Sequence, residues 1–101
     1  MKKILTISLV DNNYKIQADD GKTLVVKSED LILNGKDLYD SFFSNVTFKE
    51  KLDLTIKTNE SIKGSREQHI CNDLKTILDD ICKRINDEVE KRTQPEATVS
   101  D

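Results

Sequence analysis

The chain's only histidine and both of its cysteines lie in one short stretch, HICNDLKTILDDIC, residues 69–82. Residues of these types can bind zinc, form a disulfide or supply a reactive thiol. In a helix, Cys71 and Cys82 would be separated by about 16 Å of rise, whereas a disulfide needs Cα atoms within about 7 Å. Zinc sites use short cysteine spacings, and this stretch has none. The spacing therefore argues against a disulfide and against a zinc site.

A helical wheel, at about 100° per residue, gives these three side chains a different role. An arc of about 100° contains Ile70, Leu74, Ile77, Leu78, Ile81 and Ile85, and one flank of it is extended by Cys71, Cys82 and Val89. His69 lies about 160° from Cys71, so one metal ion cannot reach both. The pattern predicts that the cysteines are small apolar residues at the margin of a core. A reactive thiol, at Cys71 before Cys82, is the remaining alternative.

Other residues that could do chemistry are better explained as a solvated surface. Asp79 and Asp80 are adjacent, but neighbouring helix positions diverge by about 100° and do not converge on one substrate. Asp79 lies four residues before Lys83, which is typical of an exposed ion pair. The acidic turns at 11–13 and 19–21 are too short for a calcium-binding loop, and the three glycines are isolated. The sequence predicts no catalytic residue, no metal and no cofactor, and hence no enzyme.

Two-residue periodicity predicts the elements of the N-terminal half. Residues 3–10 alternate as one half-buried strand, residues 14–18 form a second, and KTLVVKS, residues 22–28, a third. Asp11-Asn12-Asn13 marks the first turn, and Asp20-Gly21 predicts a type I′ turn because Gly accepts a positive φ. These strands predict an antiparallel three-stranded meander.

The rest of the chain predicts a short helix, a fourth strand and a long helix. Residues 28–43 are ambiguous, with an apolar run at 31–33 and helical spacing from Lys36 onward. Residues 51–57 alternate cleanly, and Ser65 with Gln68 fits a capping box that opens a helix reaching 92. We therefore expect one α+β domain over 1–92 (1–64 sheet and short helix, 65–92 long helix), with the amphipathic helix packed on one sheet face. Residues 93–101, which contain Pro95, are expected to be a disordered polar tail.

Composition and charge narrow the class of protein. The 101 residues are 36% hydrophobic and 35% charged, with a net charge of −3. Residues 1–64 hold ten acidic and ten basic side chains, whereas residues 65–101 hold nine acidic and six basic. This is not the basic footprint of a nucleic-acid-binding protein. The start, MKKILTISLVDNN, alternates like a strand rather than a signal peptide, and no apolar run would cross a bilayer, which predicts a cytoplasmic protein.

The apolar stripe of the long helix predicts an interface. A helix of about 27 residues is about 40 Å long, whereas a seven-residue strand spans about 24 Å, so the helix should overhang the sheet. The stripe continues into this overhang, and we expect it to be covered by a second copy or by another protein. The predicted interface residues are Ile77, Ile81, Ile85 and Val89. Alternatively, the helix ends near residue 84, or residues 28–43 fold under it.

Two function classes follow from these features. The first is a small non-enzymatic interaction protein that binds a macromolecular target and forms a homodimer through its C-terminal helix. Inhibitors, immunity proteins and antitoxins, some encoded by phages or mobile elements, are proteins of this size and charge. The second is a nucleic-acid-binding accessory protein that uses Lys49, Lys51 and Lys57 on the fourth strand. Asp53 interrupts that basic ribbon and no aromatic residue accompanies it, so nucleic acid is the less favoured partner.

Overall fold

The computed structural model describes residues 1–27 and 35–93. The elements are β1 (Lys2–Val10), β2 (Asn13–Ala18), β3 (Thr23–Lys27), α1 (Gly35–Phe42), β4 (Asp53–Thr58) and α2 (Ser65–Thr93). This order confirms an α+β protein with four strands, a short helix and a long C-terminal helix. The predicted tail began at residue 93, but Thr93 belongs to α2. The rest of that tail and the predicted apolar run at 31–33 lie outside the described residues.

The four strands form one mixed sheet in the order β3-β2-β1-β4. The first three pair antiparallel in sequence order, as expected from their turns. The fourth strand lies beside β1 and runs parallel to it, so the sheet is not a pure antiparallel meander. Parallel neighbours need a long crossover, and the segment from β3 to β4 that contains α1 supplies it. The short helix α1 contacts both α2 and β3.

The two hairpin turns differ in type. Asp11 and Asn12 have φ values of 53° and 66°, and Val10 pairs with Asn13. Two central residues with positive φ are typical of a type I′ turn. In the second turn only Gly21 has a positive φ, of 96°, and its N–H donates to the carbonyl of Ala18 at 3.0 Å. The predicted type I′ turn at Asp20-Gly21 is therefore wrong, because Asp20 does not adopt the left-handed conformation.

Alternate residues of the strands build one face of the core. The register aligns Ile7 with Ile16 and Ile16 with Leu24, so these side chains lie side by side across three strands. The residues of the sheet with less than a tenth of their surface exposed include Leu5, Ile7, Tyr14, Ile16, Ala18 and Val26. The period-two pattern in the sequence predicted this face correctly for β1 and β2.

One charged residue lies on the buried side of the sheet. Lys3 is 3% exposed, and its Nζ lies 3.6 Å from Oδ2 of Asp20. A buried ammonium group requires a partner, which the carboxylate at the second hairpin turn supplies. The N–H of Lys22 donates to Asp20 as well, and this hydrogen bond, ahead of the charge of Lys3, lowers the pKa of the Asp20 carboxyl. Asp20 therefore joins the second hairpin turn to the start of β1.

The long helix begins differently from the expectation. The N–H of Gln68 donates to the carbonyl of Gly64 at 2.9 Å, and the Glu67 carboxylate occupies the space where a side chain at position 64 would lie. The predicted capping box of Ser65 and Gln68 is not among the hydrogen bonds of the described residues. Gly64 therefore serves as the N-cap, which allows the Glu67 side chain to fold back over it.

The long helix runs unbroken to Thr93, so the alternative in which it ends near residue 84 is wrong. It contacts α1 and β4, and its buried side chains belong to one hydrophobic cluster with those of the sheet. These buried residues are Ile70, Cys71, Leu74, Leu78, Ile85 and Val89. That the helix lies across one face of the sheet stays a prediction.

Candidate functional site

The histidine and the two cysteines of residues 69–82 do not converge on one point. His69 is exposed, Cys71 is 1% exposed and Cys82 is half-buried, and both cysteines are free thiols. Within residues 1–27 and 35–93, no group of three or more His, Cys, Asp or Glu side chains could hold a metal ion. Burial is the main cause that raises the pKa of both thiols, and Asp79 adds to it at Cys82. Both cysteines therefore favour the neutral, unreactive form at neutral pH.

Two of the three lysines predicted for nucleic-acid binding lie outside the fourth strand. Lys57 lies in β4, opposite Thr6 of β1, whereas Lys49 and Lys51 precede the strand. The Nζ of Lys51 lies 3.6 Å from Oε2 of Glu90 on α2. The prediction that all three lysines lie on the fourth strand is wrong, because β4 begins at Asp53. Binding of nucleic acid itself stays a prediction.

The four predicted interface residues fall into two groups. Ile85 is 3% exposed and Val89 is 2% exposed, so both lie in the core of the chain itself. Ile77 and Ile81 are half-buried and pack against the edge of that core. The premise that the stripe is uncovered therefore fails for Ile85 and Val89. The interface stays a prediction, and Ile77 and Ile81 have the exposed apolar surface with which to form it.

The segment between α1 and β4 covers the C-terminal half of α2. Oδ1 of Asn86 accepts from the N–H of Leu52 at 2.6 Å, and its Nδ2 donates to the carbonyl of Leu52 at 3.0 Å. The thiol of Cys82 donates to the same carbonyl at 3.6 Å. These contacts fasten the backbone at residue 52 to the helix. The C-terminal part of the stripe, at Ile85 and Val89, is therefore buried by this segment of the same chain rather than by the expected second copy.

A groove of about 780 Å³ lies between α1, α2 and the segment that follows α1. Its apolar surface comes from Ile77 and Ile81 on α2, from Tyr39 on α1 and from Phe48. Each of these four side chains is partly buried and packs against the main core. The remaining lining residues are Lys36, Asp80, Arg84, Ile85, Glu88 and Arg92. The groove thus combines an apolar floor with a charged rim, which is the usual composition of a site for another chain.

Phe48 forms one end of this groove in a strained conformation. Its φ is 61°, a left-handed value that costs a residue with a Cβ about 1 kcal/mol. The guanidinium carbon of Arg92 lies 4.7 Å from the centroid of its ring, within the range of a cation–π contact. Contacts with α2 therefore hold Phe48 in place although its backbone resists that conformation.

The charged rim of the groove contains Lys36 of α1 and two ion pairs along α2. Nε of Arg84 lies 3.0 Å from the Asp80 carboxylate, and Nε of Arg92 lies 2.9 Å from the Glu88 carboxylate. The exposed fractions of these side chains are 55% for Asp80, 80% for Arg84, 41% for Glu88 and 57% for Arg92. Exposed pairs of this kind stabilise a protein by about 0.5 kcal/mol or less. The charges are therefore accessible to a partner at little cost to the fold.

The sequence did not reveal the roles of Phe48, which lines the groove, or of Asn86, which binds the backbone of Leu52. Asn86 lies in a helical run of polar residues and has no sequence signal of its own. Phe48 is an isolated aromatic in the polar stretch between α1 and β4, and this could have drawn notice. Its partner on α2 is 44 positions away, so no local pattern reveals the contact.

The part of the chain that the structure describes contains no helix with the length and apolar character needed to cross a membrane. Comparison of the chain with protein-family models, with curated proteins and with solved structures found no match.

Proposed function

We propose that this chain is a small non-enzymatic interaction protein that binds and modulates a macromolecular target through the groove between α1 and α2. The observation that carries this proposal is the half-buried apolar floor of Ile77 and Ile81 beneath an exposed charged rim. A partner's apolar side chains would bury the floor, while the rim would select its charges. The target is another protein, and the cytoplasm is the proposed location.

The groove fits a helical or extended segment better than a small metabolite. Its floor is apolar along α2, and its charged groups lie along the rim rather than pointing to one common centre. Helix-in-groove recognition uses this arrangement, in which apolar anchors at helical spacing enter a groove bounded by polar side chains. An inhibitor, an immunity protein or an antitoxin would act in this way, by covering a surface of its target.

The test is to purify partners from the source cells with the wild-type chain and with Ile77→Asp/Ile81→Asp. Binding to each purified candidate is then measured by calorimetry. We expect at least about a 100-fold loss of affinity, because carboxylates on the floor would have to be desolvated. The matched control is Asn72→Asp/Thr76→Asp, which adds the same charge at exposed positions of α2 that do not line the groove. Equal affinity of the groove variant and the control variant for the target would contradict the proposal.

A heparin column separates the alternative function. A nucleic-acid-binding protein would be retained at low salt and released steeply as salt rises. We expect the chain to flow through. Salt-dependent retention that is reduced by Lys57→Gln would favour the nucleic-acid function instead.

A further inference from the structure

The charges along the groove side of α2 alternate at a constant spacing. Asp80, Arg84, Glu88 and Arg92 follow one another every four residues, with the signs minus, plus, minus, plus. Four residues correspond to about 6 Å of rise and to a rotation of about 40° around the helix. Neighbouring members of the series, such as Arg84 and Glu88 at its centre, therefore lie about 40° apart, whereas the outer two, Asp80 and Arg92, lie about 120° apart.

This alternating series complements itself when it is read in the opposite direction. Reversal changes minus, plus, minus, plus into plus, minus, plus, minus. Two copies of α2 placed antiparallel about a two-fold axis at the level of residue 86 would thus bring Arg84 of one copy opposite Glu88 of the other. A parallel arrangement in register would instead place like charges together.

The apolar ends of the groove agree with the same arrangement. Ile77 and Ile81 lie on the N-terminal side of the axis, whereas the ring of Phe48, beneath Arg92, lies on the C-terminal side. A two-fold rotation exchanges these ends. The isoleucines of one copy would therefore approach Phe48 of the other, so that apolar and charged groups are both matched.

We infer that the occupant of the groove is α2 of a second copy of this chain, antiparallel about a two-fold axis near residue 86, with Arg84 of each copy facing Glu88 of the other. The inference rests on the proposed function, because it takes the groove to be the docking site. It goes further in assigning the groove of the free protein to a second copy, with which a separate target would compete, and in naming the register. The intrahelical ion pairs do not oppose it, since exposed carboxylates and guanidinium groups can share a second partner.

Single charge reversals test the register. In Arg84→Glu, the introduced glutamate of each copy would face Glu88 of the other copy. In Glu88→Arg, the introduced arginine of each copy would face Arg84 of the other copy. Each variant should self-associate about 30-fold more weakly than the wild type in sedimentation experiments, since two attractive contacts become repulsive. An equimolar mixture of the two variants should recover the wild-type affinity to within about threefold.

The double variant Arg84→Glu/Glu88→Arg provides a second test that retains all the facing pairs. It should form its own dimer about as tightly as the wild type, yet mix with the wild type about 30-fold more weakly, as measured with a fluorescent label on one chain. The matched controls are Lys83→Glu and Asp87→Arg, which reverse exposed charges of α2 that do not line the groove. These controls should associate as the wild type does, and circular dichroism checks that every variant is folded.

Three results would overturn the inference. They are a wild-type chain that stays monomeric up to about millimolar concentration, single variants that dimerise as the controls do, or a mixture that fails to recover affinity. None of them decides the proposed function. If the wild type stays monomeric while a separate target binds it and is lost in Ile77→Asp/Ile81→Asp, the groove is a docking site for that target rather than for a second copy.

Discussion

Two parts of the apolar stripe on α2 have the same sequence character but different surroundings. Ile77 and Ile81 are half-buried and line an open groove. Ile85 and Val89, one and two turns further along, are nearly inaccessible, although Ile85 also borders the groove. Helical periodicity treats all four as one face. The difference arises because the segment before β4 lies against residues 82–92, through Phe48, Lys51 and Leu52.

The comparison shows that the apolar character of a helix position does not reveal what covers it. The sequence does not distinguish an isoleucine that is buried in the core from one that is partly exposed and available to a partner. Substitution by aspartate distinguishes the two roles. A buried unpaired charge strongly destabilises the core, whereas an exposed charge remains hydrated and costs little stability.

The largest expected effect is that of Ile85→Asp. At 3% exposure the carboxylate would be desolvated without a partner, so we expect a loss of about 5 kcal/mol in the free energy of unfolding. Ile81→Asp should lose only about 1 kcal/mol, because that side chain reaches the solvent in the groove. Urea denaturation followed by circular dichroism measures both. Equal losses would show that the two halves of the stripe are equivalent.

Substitutions in the short helix α1 should likewise cost more stability on its buried side than on its groove-facing side. Phe42 is inaccessible, and Phe42→Ala should cost about 4 kcal/mol through lost contacts and the cavity left behind. Tyr39 is half-buried at the groove and packs 6.3 Å from Phe43, centroid to centroid, so Tyr39→Ala should cost about 1 kcal/mol. Thermal unfolding of the two variants compares them. A smaller loss for Phe42→Ala than for Tyr39→Ala would contradict this assignment of the two faces.

Removal of the Asn86 side chain tests how strongly the segment between α1 and β4 is held against α2. Asn86→Ala leaves the N–H and carbonyl of Leu52 without these partners at a partly buried site, so we expect a loss of about 2 kcal/mol. Asn72→Ala is the control, because Asn72 is an exposed asparagine on the same helix. Hydrogen exchange at the amide of Leu52 should accelerate in the Asn86 variant and remain unchanged in the control.

Two substitutions of Phe48 separate backbone strain from side-chain contact. Phe48→Ala removes the ring but keeps the unfavourable left-handed conformation, whereas Phe48→Gly removes both. We expect the glycine variant to be more stable than the alanine variant by about 1 kcal/mol. A more stable alanine variant in chemical denaturation would show that residue 48 does not keep a positive φ.

The reactivity of the two thiols measures the accessibility of two positions along the stripe. Cys71 is 1% exposed and Cys82 half-buried, so Cys82 should react faster with a disulfide reagent when each is studied with the other replaced by Ala. Because burial raises the pKa of both thiols, the folded state holds their protons more tightly than the unfolded state does. Their contribution to stability is therefore present below about pH 8.5 and declines as the pH rises further. A wild type that loses no more stability at high pH than Cys71→Ala/Cys82→Ala would contradict these pKa directions.

The sequence by itself determined the strands, their buried faces and the long helix. Alternation at period two places Ile7 and Ile16 on the core face, and apolar spacing at period 3.6 defines α2. These patterns are local, since they depend on the geometry of one element. The same alternation placed Lys3 on the buried face, where it needs Asp20 as a partner.

Tertiary structure alone decided the placement of β4 parallel to β1, the cover over Ile85 and Val89, and the groove that remains beside them. Each depends on contacts between residues far apart in the chain, such as Asn86 with Leu52 and Arg92 with Phe48. Periodicity predicts that a face is buried, but it does not predict which segment buries it. That choice follows from which distant segment can reach the face and satisfy its own backbone hydrogen bonds there.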